Sequence, residues 1–349
     1  MFLTDKFGNP LNNFQYNFLL LHPSANLENY KQIELDKNAE LIVGANLEWL
    51  LQAYLILKQR GNLNVICSNH FVPGCINIIH SDDLIKLRGT SKDFIVCIKG
   101  DFPWRKWAHY HIVQNQNELK ANTSFLPLWV QPGLIKRNAD RKGVTKVAYA
   151  GQTWNGNLAG TEETWTNLFK PHAIEFVNLP TGACHDLRDI DVLIGIRSFD
   201  DKPYNSKPPS KLVNAWHAHI PFIGGNDSAF KQVGTPGKDY LLATSHQEVL
   251  NAVLQLRDDP NLYQTLVNNG IEKSKNYTQE NIAKAWETVL GEPVLERFKR
   301  WQSNKAFEEK RFNTLSSYGI IQHKSKKLVK KLMNWGRLTC QIQMISARI

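Results

Sequence analysis

Short apolar segments alternate with segments of helical periodicity along this chain, and that alternation is its most constraining feature. In the first half, residues 16–22, 63–67 and 94–98 are apolar almost throughout. Residues 46–60 instead carry apolar side chains at helical spacing, and Gly61 follows as a stop signal. Strands that are apolar throughout are typical of a parallel sheet covered by helices on both faces. The pattern therefore predicts an α/β fold.

A seam divides the chain into two such patterns. Residues 126–143 contain Pro127, Pro132 and Gly133 followed by a polar stretch, and the alternation restarts with an apolar strand at residues 145–150. A length of 349 residues suits two domains. We predict two facing Rossmann-like domains and a helical, basic tail, with the divisions at residues 1–135, 136–292 and 293–349.

The net charge of +10 is confined to the tail. Residues 296–349 hold 13 Lys/Arg and three Asp/Glu, so the remaining 295 residues hold 29 of each sign. A neutral body argues against a nucleic-acid partner. In residues 323–338, Leu328, Leu332 and Trp335 fall on one helical face and most lysines elsewhere, which predicts binding to an anionic membrane surface. The alternative is a helix that packs back on the first domain.

Other features indicate the cellular compartment. No apolar run approaches the roughly 20 residues that span a bilayer, and the first residues do not resemble a secretion signal. Five cysteines without a C-x-x-C spacing favour a reducing environment with no disulfide framework and no zinc site. We expect a cytoplasmic protein, with peripheral attachment to the inner membrane face through the tail.

The segment from Arg197 to Lys211 carries the sharpest chemical signal. A predicted strand ends at Arg197, and a proline-rich loop containing Lys207 leads into a helix that begins near Ser210. A helix start presents unpaired backbone N–H groups and about half a positive charge. With three basic side chains around it, this spot is suited to a diphosphate without a metal.

Three segments of the second half resemble glycosyltransferases of the GT-B fold, the group with a glycosyltransferase group 1-like C-terminal domain. Residues 210–223 resemble the donor-site helix and the strand after it, residues 147–151 the first strand and its glycine loop, and residues 189–194 the strand leading into the donor loop. The resemblance implies a nucleotide-diphosphate sugar as co-substrate and no other cofactor. It covers about residues 145–290, and the first half only in architecture.

The resemblance also implies which residues hold the donor. Retaining members carry two glutamates, one of them on the donor ribose, whereas Ser206 and Asn214 stand at those positions here. Asn214 can hydrogen-bond ribose hydroxyls or, alternatively, a neighbouring loop. Thr181, after Pro180, lies where such folds hold the base edge. The predicted donor-binding residues are Gly151, Thr181, Arg197, Lys207, Ser210, Lys211 and Asn214.

A general base is expected from the first half. Asp101 follows a predicted strand end and Gly100, so a turn presents its carboxylate, although the residue could simply cap that turn. His22 is the second candidate, and His70 and His109 flank other strand ends. The pairs Asp82-Asp83, Asp200-Asp201 and Asp258-Asp259 do not show the D-x-D spacing at a strand end that metal-dependent glycosyltransferases use, so no metal site is predicted.

The reading favoured by these features is a metal-independent glycosyltransferase that moves a sugar from a nucleotide-diphosphate sugar to an unknown acceptor in the inter-domain cleft. Two alternatives stay open. One is a nucleotide-sugar epimerase or hydrolase of the same fold. The other is a non-catalytic scaffold that binds sugar nucleotides and associates with a membrane through its tail.

Overall fold

The computed structural model describes residues 10–21, 24–154 and 156–346, and it describes residues 24, 25 and 329–346 by their backbone alone. A π-helical segment, Leu47–Leu51, precedes the second helix, and another, Leu290–Val294, follows the ninth. In the described part of the chain the α-helices are α1 (Ser24–Tyr30), α2 (Gln52–Arg60), α3 (Ser81–Leu87), α4 (Glu162–Phe169), α5 (Ser210–His217), α6 (Ser228–Val233), α7 (His246–Asp258), α8 (Pro260–Ser274), α9 (Gln279–Val289), α10 (Leu295–Ser303) and α11 (Lys305–Ser346).

Two parallel sheets form the scaffold. The strands of the first sheet, in spatial order, are β2 (Asn64–Ser68), β1 (Gln15–Leu19), β3 (Ile76–His80), β4 (Phe94–Ile98), β5 (Tyr110–Val113) and β6 (Thr123–Phe125). Those of the second are β11 (Leu241–Leu242), β10 (Phe222–Gly224), β9 (Val192–Gly195), β7 (Lys146–Ala150) and β8 (Glu175–Leu179). Every pairing is parallel. The predicted α/β class is confirmed, and β6 is a strand that the sequence patterns did not indicate.

Both sheets are doubly wound. Their order reverses between β1 and β3 in the first sheet and between β7 and β9 in the second. In such sheets ligands bind outside the C-terminal ends of the strands at the reversal. Gly151 directly follows β7, and Arg197 lies two residues beyond β9. The two facing Rossmann-like domains are the architecture that the GT-B resemblance implies.

The end of the second domain requires a correction. The predicted second domain, residues 136–292, includes helix α9. In the structure α9 packs in the core of the first domain instead. Its Trp286 is fully buried, with its ring centroid 5.9 Å from that of Phe18 and 6.3 Å from that of Trp49. The following helix adds Phe298 and Trp301 to the same core. The chain therefore returns to the first domain at about Thr278, because the apolar face of α9 covers the first sheet.

The first part of α11 also packs on the first domain. Phe312 and Ser316 are buried, and the guanidinium of Arg88 donates to Ser316 Oγ at 2.9 Å. A Cβ atom at Gly319 would lie 2.5 Å from the Trp107 ring, so helix and ring are in close contact. Residues 321–328 are exposed. Packing on the first domain thus holds for the first part of α11, and Leu332 and Trp335 lie outside the residues whose side chains are described. Within the described residues no helix has the length and hydropathy needed to cross a bilayer.

A polar contact joins the two domains beside the cleft. From the first domain, the Gln114 amide donates to the Ser206 carbonyl at 2.8 Å, and the Asn115 amide donates to the Lys207 carbonyl at 3.1 Å. These bonds hold the loop that precedes α5. They therefore help to set where the predicted donor loop lies relative to the first domain.

Candidate functional site

A cavity of about 290 Å3 lies between the two domains, at the C-terminal edges of both sheets. Its size is at the lower end of the range of small-molecule sites. It brings together the predicted site residues that the structure describes, which are Asp101, Gly151, Thr181, Arg197, Lys207, Ser210, Lys211 and Asn214. His22 lies outside the described residues.

The N-terminus of α5 borders the cavity, because Ser210 and Lys211 both line it. No side chain caps this helix, so its first turn presents backbone N–H groups and the positive end of the helix dipole. The Lys211 ammonium lies 4.8 Å from the centroid of the Tyr149 ring. Among the described residues no carboxylate lies within ion-pair distance of it. Burial and the neighbouring Arg197 guanidinium lower the pKa of Lys211 to about 8.

Gly151 and Arg197 flank the same point. Gly151 has φ +126°, in the region that favours glycine, and a Cβ atom there would lie 3.6 Å from Nζ of Lys211. Arg197 is buried, and its Nε donates to the Asp227 carboxylate at 2.7 Å. A second donation goes to Asn157 at 3.3 Å, which fixes the guanidinium plane while its other N–H groups remain. Two cationic groups thus face the cavity within reach of the Gly151 turn.

Asp101 and Lys207 meet across the cleft as an ion pair. Gly100, at φ +53°, forms the turn that presents Asp101 after β4. Burial raises the pKa of Asp101, but the hydrogen bond and charge of Lys207 outweigh it and leave that pKa below its ordinary value. The predicted base and a predicted phosphate ligand therefore bind each other in this state. Each is less available for its separate role than the sequence suggested.

Asn214 contacts the linker between the domains. Its side-chain oxygen accepts a hydrogen bond from the backbone N–H of Gln131 at 3.2 Å. This is the loop contact that the sequence left open as an alternative, and it leaves the amide nitrogen for a ligand. Thr181 and Gly182 form the cavity wall after β8.

No family model matches this chain, and no curated protein matches it. Solved structures with similar folds include TarM, at 12% identity over 68% of this chain and 57% of that chain, with a TM-score of 0.44. The pneumococcal O-GlcNAc transferase GtfA, solved with UDP and GlcNAc, is 9% identical over 72% of this chain and 60% of that chain, with a TM-score of 0.45. Anabaena HepE, solved with UDP and glucose, is 12% identical over 79% and 98%, with a TM-score of 0.46.

This chain thus spans less than two thirds of the length of TarM and GtfA. At these identities the likeness concerns the fold alone.

Glu48 is a cavity residue that the sequence analysis missed. It belongs to the π-helical turn Leu47–Leu51, whose other four residues are buried. Burial raises the pKa of Glu48, although Lys211 and the Gly44 backbone lower it in part, and Asp101 raises it further. The available signal was an acidic residue inside an apolar helical segment. Helical periodicity alone does not say that such a residue faces a cleft.

The remaining histidine candidates do not line the cavity. His109 is buried, and its Nδ1 accepts the backbone N–H of Ile95 at 3.0 Å. Burial, reinforced by Arg311, holds the pKa of His109 well below its ordinary value. His70 is exposed and is not among the lining residues. Neither histidine is placed to act as a general base in the cleft, because neither lines the cavity.

The described residues contain no cluster of three or more His, Cys, Asp or Glu side chains able to hold a metal ion. Three of the four described cysteines, Cys67, Cys75 and Cys97, are buried thiols. Cys184 lines the cavity, and burial raises its pKa to about 11, so the thiol is neutral there.

Proposed function

We propose that this protein is a glycosyltransferase that moves a sugar from a nucleotide-diphosphate sugar to an acceptor held by the first domain. One observation carries the proposal. Lys211, without a carboxylate partner, lies with Arg197 and the uncapped start of α5 on the second-domain side of the cavity. A diphosphate supplies the negative charge and acceptor oxygens that these groups match.

In this proposal the cationic groups take the part that a metal plays in other transferases. The leaving diphosphate gains negative charge as the bond to the sugar breaks, and fixed donors aimed at that charge lower the barrier. Donor binding and turnover are therefore expected to persist in EDTA. Loss on chelation and recovery with magnesium or manganese would contradict metal independence.

A thermal-shift screen tests donor binding. UDP, GDP, ADP, dTDP and CMP are each compared with their own nucleoside at equal concentration, since a ligand that binds the native state raises its melting temperature. At least one diphosphate is expected to raise it well above its own nucleoside. If none of the diphosphates does so, the proposed function fails.

A non-catalytic scaffold is the second candidate. It is favoured by Ser206 and Asn214 at the positions of the two glutamates of retaining members, and by the bond from Gln131 that engages the Asn214 oxygen. Turnover separates the two candidates. A transferase releases nucleoside diphosphate from its donor, whereas a scaffold binds the nucleotide and releases none.

We further propose that the exposed part of α11 binds an anionic membrane surface. Lys324, Lys326 and Lys327 are exposed, and Leu328 is 59% exposed. Each lysine near an anionic bilayer contributes about 1 kcal/mol. Because the first part of α11 packs on the first domain, such binding would bring the acceptor domain to the membrane.

A further inference from the structure

Two carboxylates of the first domain face the cavity, and their surroundings differ. Asp101 is paired with Lys207, whereas Glu48 has no Lys, Arg or His within ion-pair distance among the described residues. When two carboxylates share a site, the environment that favours the neutral form marks the proton-transfer group, and the environment that favours the charged form marks a fixed charge. The two residues are therefore suited to different tasks.

The packing of the surrounding turn fixes the position of Glu48. The turn Leu47–Leu51 places its other four side chains in the first-domain core, so the turn cannot rotate without exposing them. Gly44 has φ +98°, and its carbonyl oxygen accepts hydrogen bonds from the backbone N–H groups of Leu47 and Glu48, both at 3.0 Å. A π-helical turn of this kind is frequent at functional sites. Glu48 and Trp49 of this turn both line the cavity, and Glu48 carries the turn's one ionisable side chain.

We infer that Glu48 is the general base of the transfer, the group that takes the proton from the acceptor hydroxyl. This inference rests on the proposed function. Glu48 lies on the first-domain wall of the cavity, opposite Lys211 and Arg197 on the wall proposed to hold the diphosphate. An acceptor hydroxyl between the walls would meet a carboxylate on one side and the donor sugar on the other.

The proposed step is a direct displacement. The acceptor O–H proton passes to the Glu48 carboxylate, and the acceptor oxygen uses a lone pair to form a bond to the anomeric carbon. The bond from that carbon to the diphosphate oxygen breaks, and its electron pair leaves with the nucleoside diphosphate beside Lys211. The proton on Glu48 then passes to solvent. Such a displacement inverts the anomeric configuration.

The charges around Glu48 set its pH behaviour. Burial raises its pKa, the Lys211 ammonium and the Gly44 backbone lower it in part, and the Asp101 carboxylate raises it. Cys184, whose charge would also act on Glu48, has a pKa raised to about 11 and stays neutral. Glu48 acts as a base only when ionised, so kcat/KM should rise with pH through its raised pKa.

The test uses Glu48→Gln, which keeps the shape of the side chain and cannot accept the proton. Nucleoside diphosphate release is measured with UDP-glucose, GDP-mannose, ADP-glucose and dTDP-glucose, with water as the acceptor. Glu48→Gln should lower kcat by about 100- to 10,000-fold and abolish the acidic limb of the pH profile. Its Kd for the free diphosphate should stay within about twofold of wild type. Glu34→Gln is the matched control, because it removes an exposed charge of the same domain.

Asp101→Asn separates the two carboxylates and keeps the test decisive if Glu48→Gln does not fold. It should retain the acidic limb. The inference is overturned if Asp101→Asn abolishes that limb, if folded Glu48→Gln keeps the wild-type kcat, or if the sugar is transferred with retention. If wild type releases diphosphate from none of the four donors, the proposed function itself is refuted, and the base assignment falls with it.

Discussion

The proposed binding of a diphosphate should depend on pH through Lys211, and the size of the effect can be calculated. Its pKa of about 8 means that the ammonium is mostly charged at pH 7 and mostly neutral at pH 9. A bound diphosphate requires the charged form, so the Kd should rise about tenfold between those pH values, or about 1.4 kcal/mol. The expected curve is flat below pH 7 and steepens above pH 8.

Replacing Lys211 by alanine removes both the contact and its titration. A charge-assisted hydrogen bond contributes about 1.5–3 kcal/mol, so the Kd at pH 7 should rise roughly 10- to 150-fold. The variant should then bind equally at pH 7 and pH 9. Calorimetry with the diphosphate selected by the thermal-shift screen measures both effects. Lys202→Ala is the matched control, because that lysine is 72% exposed and pairs with Asp200 in the preceding loop.

Two results would refute this reasoning. One is a wild-type Kd that does not change between pH 7 and pH 9. The other is a folded Lys211→Ala variant that keeps the wild-type pH dependence. Stability offers a second check, because the folded pKa of Lys211 is below its unfolded value. The unfolded state then binds more protons between about pH 8 and pH 10.5, so this group adds stability as pH rises through that window, and Lys211→Met should raise the melting temperature at pH 7.

Three further predictions concern stability and the tail. Asp191 is fully buried and pairs with Arg141 at 2.9 Å, so Asp191→Ala should lower the free energy of unfolding by about 3–5 kcal/mol in urea titrations, and an unchanged midpoint would contradict this. Gly319→Ala would normally favour a helix by about 1 kcal/mol, but contact with Trp107 should reverse the sign, which a melting curve measures. Deleting residues 322–349 should leave the melting temperature unchanged and reduce salt-sensitive co-sedimentation with anionic vesicles. Destabilisation with no loss of vesicle binding would refute the membrane proposal.

The fold class could be predicted because local patterns determine it. The apolar strand Phe94–Ile98 follows from the side-chain pattern, and the structure has it with the predicted bounds. The loop with basic residues before Ser210 could also be predicted, because the helix start and the nearby lysines are close together in the sequence. The domain boundary at residue 292 was wrong for the opposite reason. The apolar face of α9 could cover either sheet. Distant residues decide which one it covers, and helical periodicity does not identify those residues.

The candidate site likewise has features that local sequence determines and features that only tertiary contacts determine. The sequence alone determined which candidate groups lie near one helix start, because residue type and order along the strand, loop and helix suffice for that; that they hold a diphosphate stays a prediction. Only the tertiary structure decided how they pair: Asp101 with Lys207, 106 residues away, and Asn214 with the linker. It also brought Glu48 to the cavity opposite Lys211, which no local pattern indicated. Ionisation depends on burial and on charges across the cleft, and both exist only once the two domains face each other.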